Sequence, residues 1–107
     1  MQQLVSSPSI KDVQEYVAVL EQERGFDGDS TLQKCLLLAE EVGELFKSLR
    51  KAEAGISIDV ASTHDANPAA ELADILTVLL TIANRLDIDM EYAFRAKEEQ
   101  DRCRVWR

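Results

Sequence analysis

The sequence predicts an all-α protein: a bundle of four helices that is completed by a second copy of the chain. Three observations carry this prediction. Apolar residues recur at helical spacing through most of the chain, residues typical of helix caps precede the periodic stretches, and almost no segment alternates as a strand does. A length of 107 residues suits one domain, spanning residues 1–107, around a single core.

The first helix is predicted from Ile10 to about Arg24. Ser9 precedes it, and Asp12 stands at its third position, a variant of the capping box in which two side chains satisfy free backbone amides at a helix start. Gly25 and Gly28 then mark a turn, because glycine is frequent where a helix stops and the chain reverses.

The second helix is predicted to begin after Ser30, which forms a second capping box with Gln33, and to run to about Ala54, where Gly55 closes it. Residues 55–67 have no helical period. They are predicted to be an irregular loop, in which ISIDV could form a short strand.

The third helix is predicted from the pair Asn67 and Pro68 to about Leu86, because asparagine caps free amides and proline suits the first helical position. Asp87 or Asp89 opens a fourth helix, which runs from Met90 to about Arg104. The third helix is apolar around most of its circumference and must therefore be buried on most sides. Three neighbouring helices could scarcely enclose it, so we expect a homodimer and consider a dimer of dimers as well. A monomeric bundle is the alternative.

Composition excludes several classes of protein. The net charge of −8 disfavours general binding to nucleic acid, and no apolar run approaches the length of a membrane span. The stretch MQQLVSSPSI lacks the features of a secretory signal, which makes the cytoplasm the expected location. Cys35 and Cys103 stand far apart without metal-ligand spacing, so neither a zinc site nor a disulfide is expected.

Three glutamates, Glu40, Glu41 and Glu44, lie close together in the second helix. Glu41 and Glu44 fall on one face with Glu40 at its edge, and like charges at this spacing repel each other. Gly43 lies between them, and a glycine inside a helix is expected only where another backbone approaches closely. An acidic helix face alone is usually solvated, so a second feature is needed to indicate a site.

That second feature is the pair Glu71 and Asp74, which share a face of the apolar third helix. Buried carboxylates are costly unless cations compensate them, and hard oxygen ligands at this density suit Mg²⁺ or Mn²⁺. Mg²⁺ usually also binds substrate phosphates. Lys97 and Arg104, seven residues apart on one side of the fourth helix, could bind phosphates, although cations also suit a helix end without any ligand. A metal site for a phosphorylated substrate is therefore expected.

The pattern resembles a known family. The motif E-E-x-x-E at Glu40, Glu41 and Glu44, followed by E-x-x-D at Glu71 and Asp74, is similar to that of the MazG-like nucleoside triphosphate pyrophosphohydrolases, members of the all-α NTP pyrophosphatase superfamily. The resemblance extends over residues 10–106. It implies hydrolysis of a nucleoside triphosphate between the α and β phosphates, with Mg²⁺ as cofactor and Mn²⁺ as an alternative ion.

The resemblance also implies roles for individual residues. Glu41, Glu44, Glu71 and Asp74 would hold the metal, and Glu40 would orient or deprotonate the attacking water, which makes Glu40 and Glu41 the catalytic pair.

Outside these acids, the family's basic motif, K-x-x-x-N-x-x-[RK], corresponds to Lys97 and Arg104 as triphosphate contacts, but Asp101 stands where asparagine is usual. Other candidate substrate contacts are Phe26 against the base, Gln33 or Lys34 against base or phosphate, and Trp106 over the pocket. The alternatives are that Phe26 only packs in the core and that Trp106 covers the dimer.

The predicted function is therefore removal of unwanted or excess (d)NTPs, a house-cleaning role that the resemblance implies. Two alternatives stay open. One is a pyrophosphohydrolase of the phosphoribosyl-ATP type, and the other is a helical interaction module whose acidic face binds a basic partner.

Overall fold

The structure, a computed structural model, describes residues 2–53 and 67–105. Within these ranges the chain forms four helices and no strand: α1 (Ile10–Glu23), α2 (Thr31–Ala52), α3 (Pro68–Arg85) and α4 (Met90–Arg102). This confirms the predicted all-α class, with helix ends displaced by no more than about two residues. The predicted loop and possible short strand lie outside the described residues, apart from Asn67.

Both predicted capping boxes form. The Asp12 amide donates to Ser9 Oγ and the Ser9 amide donates to Asp12 Oδ2, each at 3.0 Å. At the start of α2 the Ser30 amide donates to Gln33 Oε1 at 2.7 Å, and the Gln33 amide donates to Ser30 Oγ at 3.1 Å. These bonds satisfy amides that have no partner inside the helix, and they fix where α2 begins.

The start of α4 resolves a choice that the sequence left open. Asp89 is the cap, since its Oδ1 accepts the Tyr92 amide at 3.1 Å. Asp87 instead ends α3 in the left-handed region, at φ 55°, and its amide donates to the Asn84 carbonyl at 3.3 Å. The next amide, of Ile88, donates to the Ala83 carbonyl at 2.9 Å. This is a Schellman ending with aspartate in the position usually taken by glycine.

The helices pack around α3. Its main partner is α2, α1 packs on it from another side, and α4 packs on α1. The most deeply buried apolar side chains are Leu80, Val17 and Ala83. Within the described residues the core is therefore centred on the second half of α3 and the middle of α1.

Apolar stripes on α2 and α3 stay exposed in the single chain. Leu32, Leu36 and Phe46 of α2 are 62–70% exposed, and Leu72, Leu76 and Leu79 of α3 are 39–55% exposed. Within the described part of one chain, α1 and α2 therefore cover only part of the circumference of α3, which agrees with the expectation that a single chain could scarcely enclose this helix.

Gly43 needs a related correction. Apart from Gly43 itself, its two chain neighbours and the backbone of its own helix, no atom of the described residues lies within 4 Å of the position that its Cβ would take, and the residue is exposed. The expected close approach of another backbone is absent from the described part of the chain.

Cys35 and Cys103 are free and exposed. Over the described residues, no helix combines the length and hydropathy needed for a membrane span.

Candidate metal centre

The packing of α2 against α3 brings three predicted metal ligands together. One carboxylate oxygen each of Glu41, Glu71 and Asp74 lies within 4.8 Å of the other two. Glu41 and Glu71 are partly buried, whereas Asp74 is exposed. Opposite ligands of a six-coordinate Mg²⁺ are about 4.2 Å apart, since each Mg–O distance is about 2.1 Å. Small side-chain rotations would bring these three oxygens around one ion, so the residues present fit such a group.

Electrostatic crowding shows in the ionisation of Glu41. Burial raises the pKa of its carboxyl above the ordinary value of 4.5, and the negative charges of Asp74, Glu71, Glu44 and Glu40 raise the pKa further, in that order. Each of these effects disfavours the charged form. A cation at this point would remove the repulsion and favour the ionised carboxylates.

The fourth predicted ligand, Glu44, is placed differently. Glu44 and Glu40 are both exposed and lie outside the group of three, although their charges still act on Glu41. The structure thus brings Glu41, Glu71 and Asp74 to one point and leaves Glu40 and Glu44 at its margin on α2.

A cleft of about 200 Å³ opens beside the carboxylates, with Glu41 and Asp74 in its wall. It lies among α1, α2 and α3, and most of the surface that its wall exposes is apolar, although polar residues also line it. The other lining residues are Leu20, Glu21, Arg24, Phe26, Lys34, Leu37, Thr77, Val78 and Thr81. Lys34 and Glu41 are seven residues apart on α2, which corresponds to about 10.5 Å along the helix axis. The cleft therefore extends about two helical turns from the acidic cluster.

Two threonine hydroxyls in the cleft wall donate their protons to backbone carbonyls of α3. Thr77 Oγ1 donates to the Ala73 carbonyl at 2.9 Å, and Thr81 Oγ1 donates to the Val78 carbonyl at 2.6 Å. Both hydroxyls therefore present only their lone pairs to the cleft.

A buried ion network closes the far end of the cleft. Glu21 of α1 is 2% exposed and Lys34 of α2 is 3% exposed, with Lys34 Nζ 3.3 Å from Glu21 Oε2. Arg85 of α3 binds both oxygens of the same carboxylate, at 3.1 and 2.9 Å. Lys34 also lies 3.4 Å from Asp29. Each of the two cations is thereby compensated, as a buried charge requires.

The sequence reasoning missed Glu21 and Arg85. The signal for Glu21 in the sequence was its position one helical turn after the apolar Val17, and the structure buries both residues together with Gln14. A charged residue in a buried register predicts an opposite charge nearby. The identity of that partner could not be read from the sequence, because Arg85 lies 64 residues away.

The predicted substrate contacts near α2 have defined positions. Gln33 Oε1 is engaged in the helix cap, and Lys34 is held in the buried network. Phe26 is half exposed at the cleft, with Lys34 Nζ 5.6 Å from the centre of its ring, within cation–π range.

The predicted contacts on α4 lie elsewhere. Lys97 Nζ is 3.0 Å from Asp101 Oδ1, and an Arg104 nitrogen is 3.6 Å from the same oxygen. No residue of α4 lines the cleft in the described part of the chain. Trp106 lies outside the described residues.

Comparison with known proteins places this geometry in a family. Residues 29–100 match the MazG nucleotide pyrophosphohydrolase domain, a range that contains the acidic cluster. Among solved structures, the chain is similar to YPJD from Bacillus subtilis, described as a proposed pyrophosphatase, with a TM-score of 0.76 and 28% identity over 94% of this chain and 100% of that one. No curated protein gave a match. Because the domain match covers well over half of its length, the chain belongs to the MazG nucleotide pyrophosphohydrolase family and has its all-α fold.

Proposed function

We propose that this protein is a Mg²⁺-dependent nucleoside triphosphate pyrophosphohydrolase, which cleaves (d)NTPs between the α and β phosphates to give a monophosphate and pyrophosphate. The observation that carries the proposal is the convergence of Glu41, Glu71 and Asp74 at one end of a mostly apolar cleft. Such a site offers a cation-binding end for phosphates and apolar wall surface for a nucleoside.

The acidic cluster would act at the phosphates. Glu41, Glu71 and Asp74 would hold Mg²⁺, with Mn²⁺ as a substitute, and Glu44 would complete the ligand set from its position one turn along α2. A bound divalent ion would neutralise the phosphate charge and polarise the phosphoryl oxygens. Glu40 is proposed to orient the attacking water and accept its proton, since its carboxylate is exposed beside the cluster. No covalent intermediate is required.

The cleft would hold the nucleoside. Its mostly apolar walls suit a ring, and Phe26 at its edge is proposed to stack on the base. Gln33 and Lys34 are proposed to contact base or phosphate, and Trp106 to cover the pocket. The axial distance of about 10.5 Å between the levels of Lys34 and Glu41 leaves room for a sugar and a base.

The basic face of α4 and a second subunit complete the proposal. Lys97 and Arg104 are proposed to bind the outer phosphates. The support for this role is their positive charge alone. α4 packs on α1, and none of its described residues lines the cleft. The exposed leucines of α2 and α3 are proposed to pack against a second copy, as a homodimer or a dimer of dimers, because contiguous exposed apolar surface commonly marks an interface. We assign the enzyme to the cytoplasm, with the role of clearing non-standard or excess (d)NTPs.

The decisive experiment is a measurement of pyrophosphate release from a panel of standard and modified nucleoside triphosphates, with phosphoribosyl-ATP included, in Mg²⁺ and then in excess chelator. A monophosphate product together with pyrophosphate identifies cleavage between the α and β phosphates. Turnover of phosphoribosyl-ATP alone would favour that narrower activity.

A non-enzymatic interaction module would release no pyrophosphate from any nucleotide. Its melting temperature would also be unchanged by Mg²⁺, whereas an ion that binds only the folded protein raises the melting temperature.

A further inference from the structure

The segment that joins α1 to α2, residues 24–30, is held by one side chain from α3. Arg85 Nε donates to the Asp29 carbonyl at 3.0 Å, and a terminal nitrogen of Arg85 donates to the Phe26 carbonyl at 3.2 Å. The same guanidinium binds both carboxylate oxygens of Glu21. Arg85 therefore ties two points of the 24–30 segment to a buried anion of α1.

Only arginine has the donor geometry for this arrangement. Its guanidinium is planar and presents five N–H donors in a fixed fork, whereas lysine offers one compact ammonium group. Arg85 is also the last residue of α3, where a positive charge is favourable because helix carbonyls accumulate there. Both side chains of this ion pair are restricted by their surroundings, since Glu21 is buried and Arg85 is only partly exposed.

Phe26 is the residue of the segment that this arrangement fixes at the cleft. Its carbonyl is bound by Arg85, its amide donates to the Glu21 carbonyl at 2.8 Å, and its ring is half exposed at the cleft lining. A half-exposed ring with both backbone groups bonded is ready to stack on a planar ligand with little further loss of conformational entropy.

We propose that Arg85 is a positioning residue for nucleoside recognition: it fixes the 24–30 segment so that Phe26 stands at the cleft beside the acidic cluster. The inference rests on the proposed function, in which the cleft holds the nucleoside. Arg85 itself does not line the cleft, and it lies 11 residues after Asp74 on α3, which corresponds to about 16.5 Å along the helix axis. Loss of its fork should therefore impair binding of the nucleoside and leave the phosphate chemistry intact.

The test compares Arg85→Lys with Arg102→Lys, the same replacement at an exposed α4 position that pairs with Glu99. Arg85→Lys should raise KM for a nucleoside triphosphate severalfold with kcat nearly unchanged, and Arg102→Lys should change neither. The inhibition constant of inorganic tripolyphosphate, which carries no base, should be the same in wild type and both variants. A general structural defect would weaken both ligands.

Limited trypsin digestion supplies a readout that needs no activity. Arg24 precedes Gly25 in the held segment, so Arg85→Lys should accelerate cleavage after Arg24 relative to wild type and Arg102→Lys, as followed by mass spectrometry. Phe26→Ala serves as a second variant if Arg85→Lys folds poorly, because it leaves the Glu21–Arg85 contact in place. Phe26→Ala should raise KM by a factor similar to that of Arg85→Lys. The double variant should have a KM no higher than that of the single variant with the higher KM.

The outcomes separate the inference from the function on which it rests. An unchanged KM in folded Arg85→Lys, or in Phe26→Ala, would overturn the inference while pyrophosphate release upheld the function. An unchanged cleavage rate in folded Arg85→Lys would also overturn it. Wild-type protein that releases no pyrophosphate would refute the proposed function and the nucleoside role with it, and the cleavage rates would then decide only whether Arg85 fixes the segment.

Discussion

A carboxylate oxygen of Glu41 and one of Asp74 lie within 4.8 Å of each other, although the two residues belong to different helices. Both residues also line the cleft that leads to the buried ion network. The contact between α2 and α3 thus creates the acidic cluster and one end of the cleft at the same point. Removal of either charge should affect chemistry much more than folding, because neither carboxylate forms an ion pair with a cation in the described part of the chain.

Glu41→Gln and Asp74→Asn should each abolish pyrophosphate release, with a fall in kcat that exceeds the about 10–100-fold usual for loss of a group that only supports a metal ligand. Circular dichroism should show unchanged helix content. Glu99→Gln is the matched control, since it neutralises an exposed acid of α4 and should leave turnover unchanged. Wild-type turnover in either cluster variant would remove that residue from the site.

The ionisation of Glu41 predicts how metal-free stability depends on pH. The folded-state pKa is raised above the ordinary value of 4.5, so below that value both states hold the proton and there is no penalty. As pH rises through 4.5 towards the raised pKa, the unfolded chain releases its proton first. The free energy of unfolding therefore falls in this window, and the penalty persists at higher pH.

Urea unfolding of wild type and Glu41→Gln in chelator, from about pH 4 to about pH 7, checks this prediction, because other titrating groups largely cancel in the difference. Glu41→Gln should gain stability relative to wild type as pH rises. With Mg²⁺ present the order should reverse at neutral pH, since the ion binds the ionised wild-type cluster. A difference that does not vary with pH would show that Glu41 is not electrostatically crowded.

Local features of this fold could be predicted from the sequence with good accuracy. Ser9, Ser30, Asn67 and Asp89 all cap helices, because capping depends only on residues within one turn of the helix start. The meeting of Glu41 with Glu71 and Asp74 also followed, since helical register places each acid on a known face and α2 is the main packing partner of α3.

Features set by long-range packing could not be predicted. The partnership of Glu21 with Arg85 depends on how the end of α1 meets the end of α3, which no local pattern encodes. The interpretation of Gly43 failed for the same reason: a glycine in a helix permits close approach but does not specify which partner approaches. Glu44 shares a face with Glu41, yet one helical turn is enough to carry it out of the group of three.

The buried network predicts a large stability effect at Glu21. Glu21→Gln would leave Lys34 and Arg85 without their shared carboxylate, and breaking a buried ion pair by removal of one partner costs about 3–5 kcal/mol. The loss of stability should be at the low end of this range, because Lys34 still forms its ion pair with Asp29 and Arg85 is partly exposed to water. Chemical denaturation should therefore show a loss of about 3 kcal/mol, against less than about 1 kcal/mol for Glu99→Gln at an exposed pair. Equal losses would mean that burial contributes nothing to this pair.

Asp101 should weaken phosphate binding if Lys97 and Arg104 contact the substrate. One oxygen of Asp101 lies against both cations, and its negative charge would repel a triphosphate. Asp101→Asn should lower KM about threefold with kcat unchanged, an effect within the ~0.2–1 kcal/mol of exposed ion pairs, and the gain should shrink as salt is added. Glu99→Gln controls for net charge. The same KM in both variants would argue against a phosphate contact from this face of α4.

The exposed stripe on α2 predicts the assembly state. Leu36 is 62% exposed between Leu32 and Phe46, so Leu36→Glu would place a charge in the middle of the proposed interface. Desolvation of an unpaired carboxylate is costly, and light scattering after size exclusion should report a monomer at concentrations where wild type is a dimer or larger. Val5→Glu, at an exposed apolar position in the segment before α1, should keep the wild-type mass. A wild-type monomer, or an undisturbed Leu36→Glu oligomer, would show that this stripe is not the interface, and the exposed leucines would then need another partner to cover them.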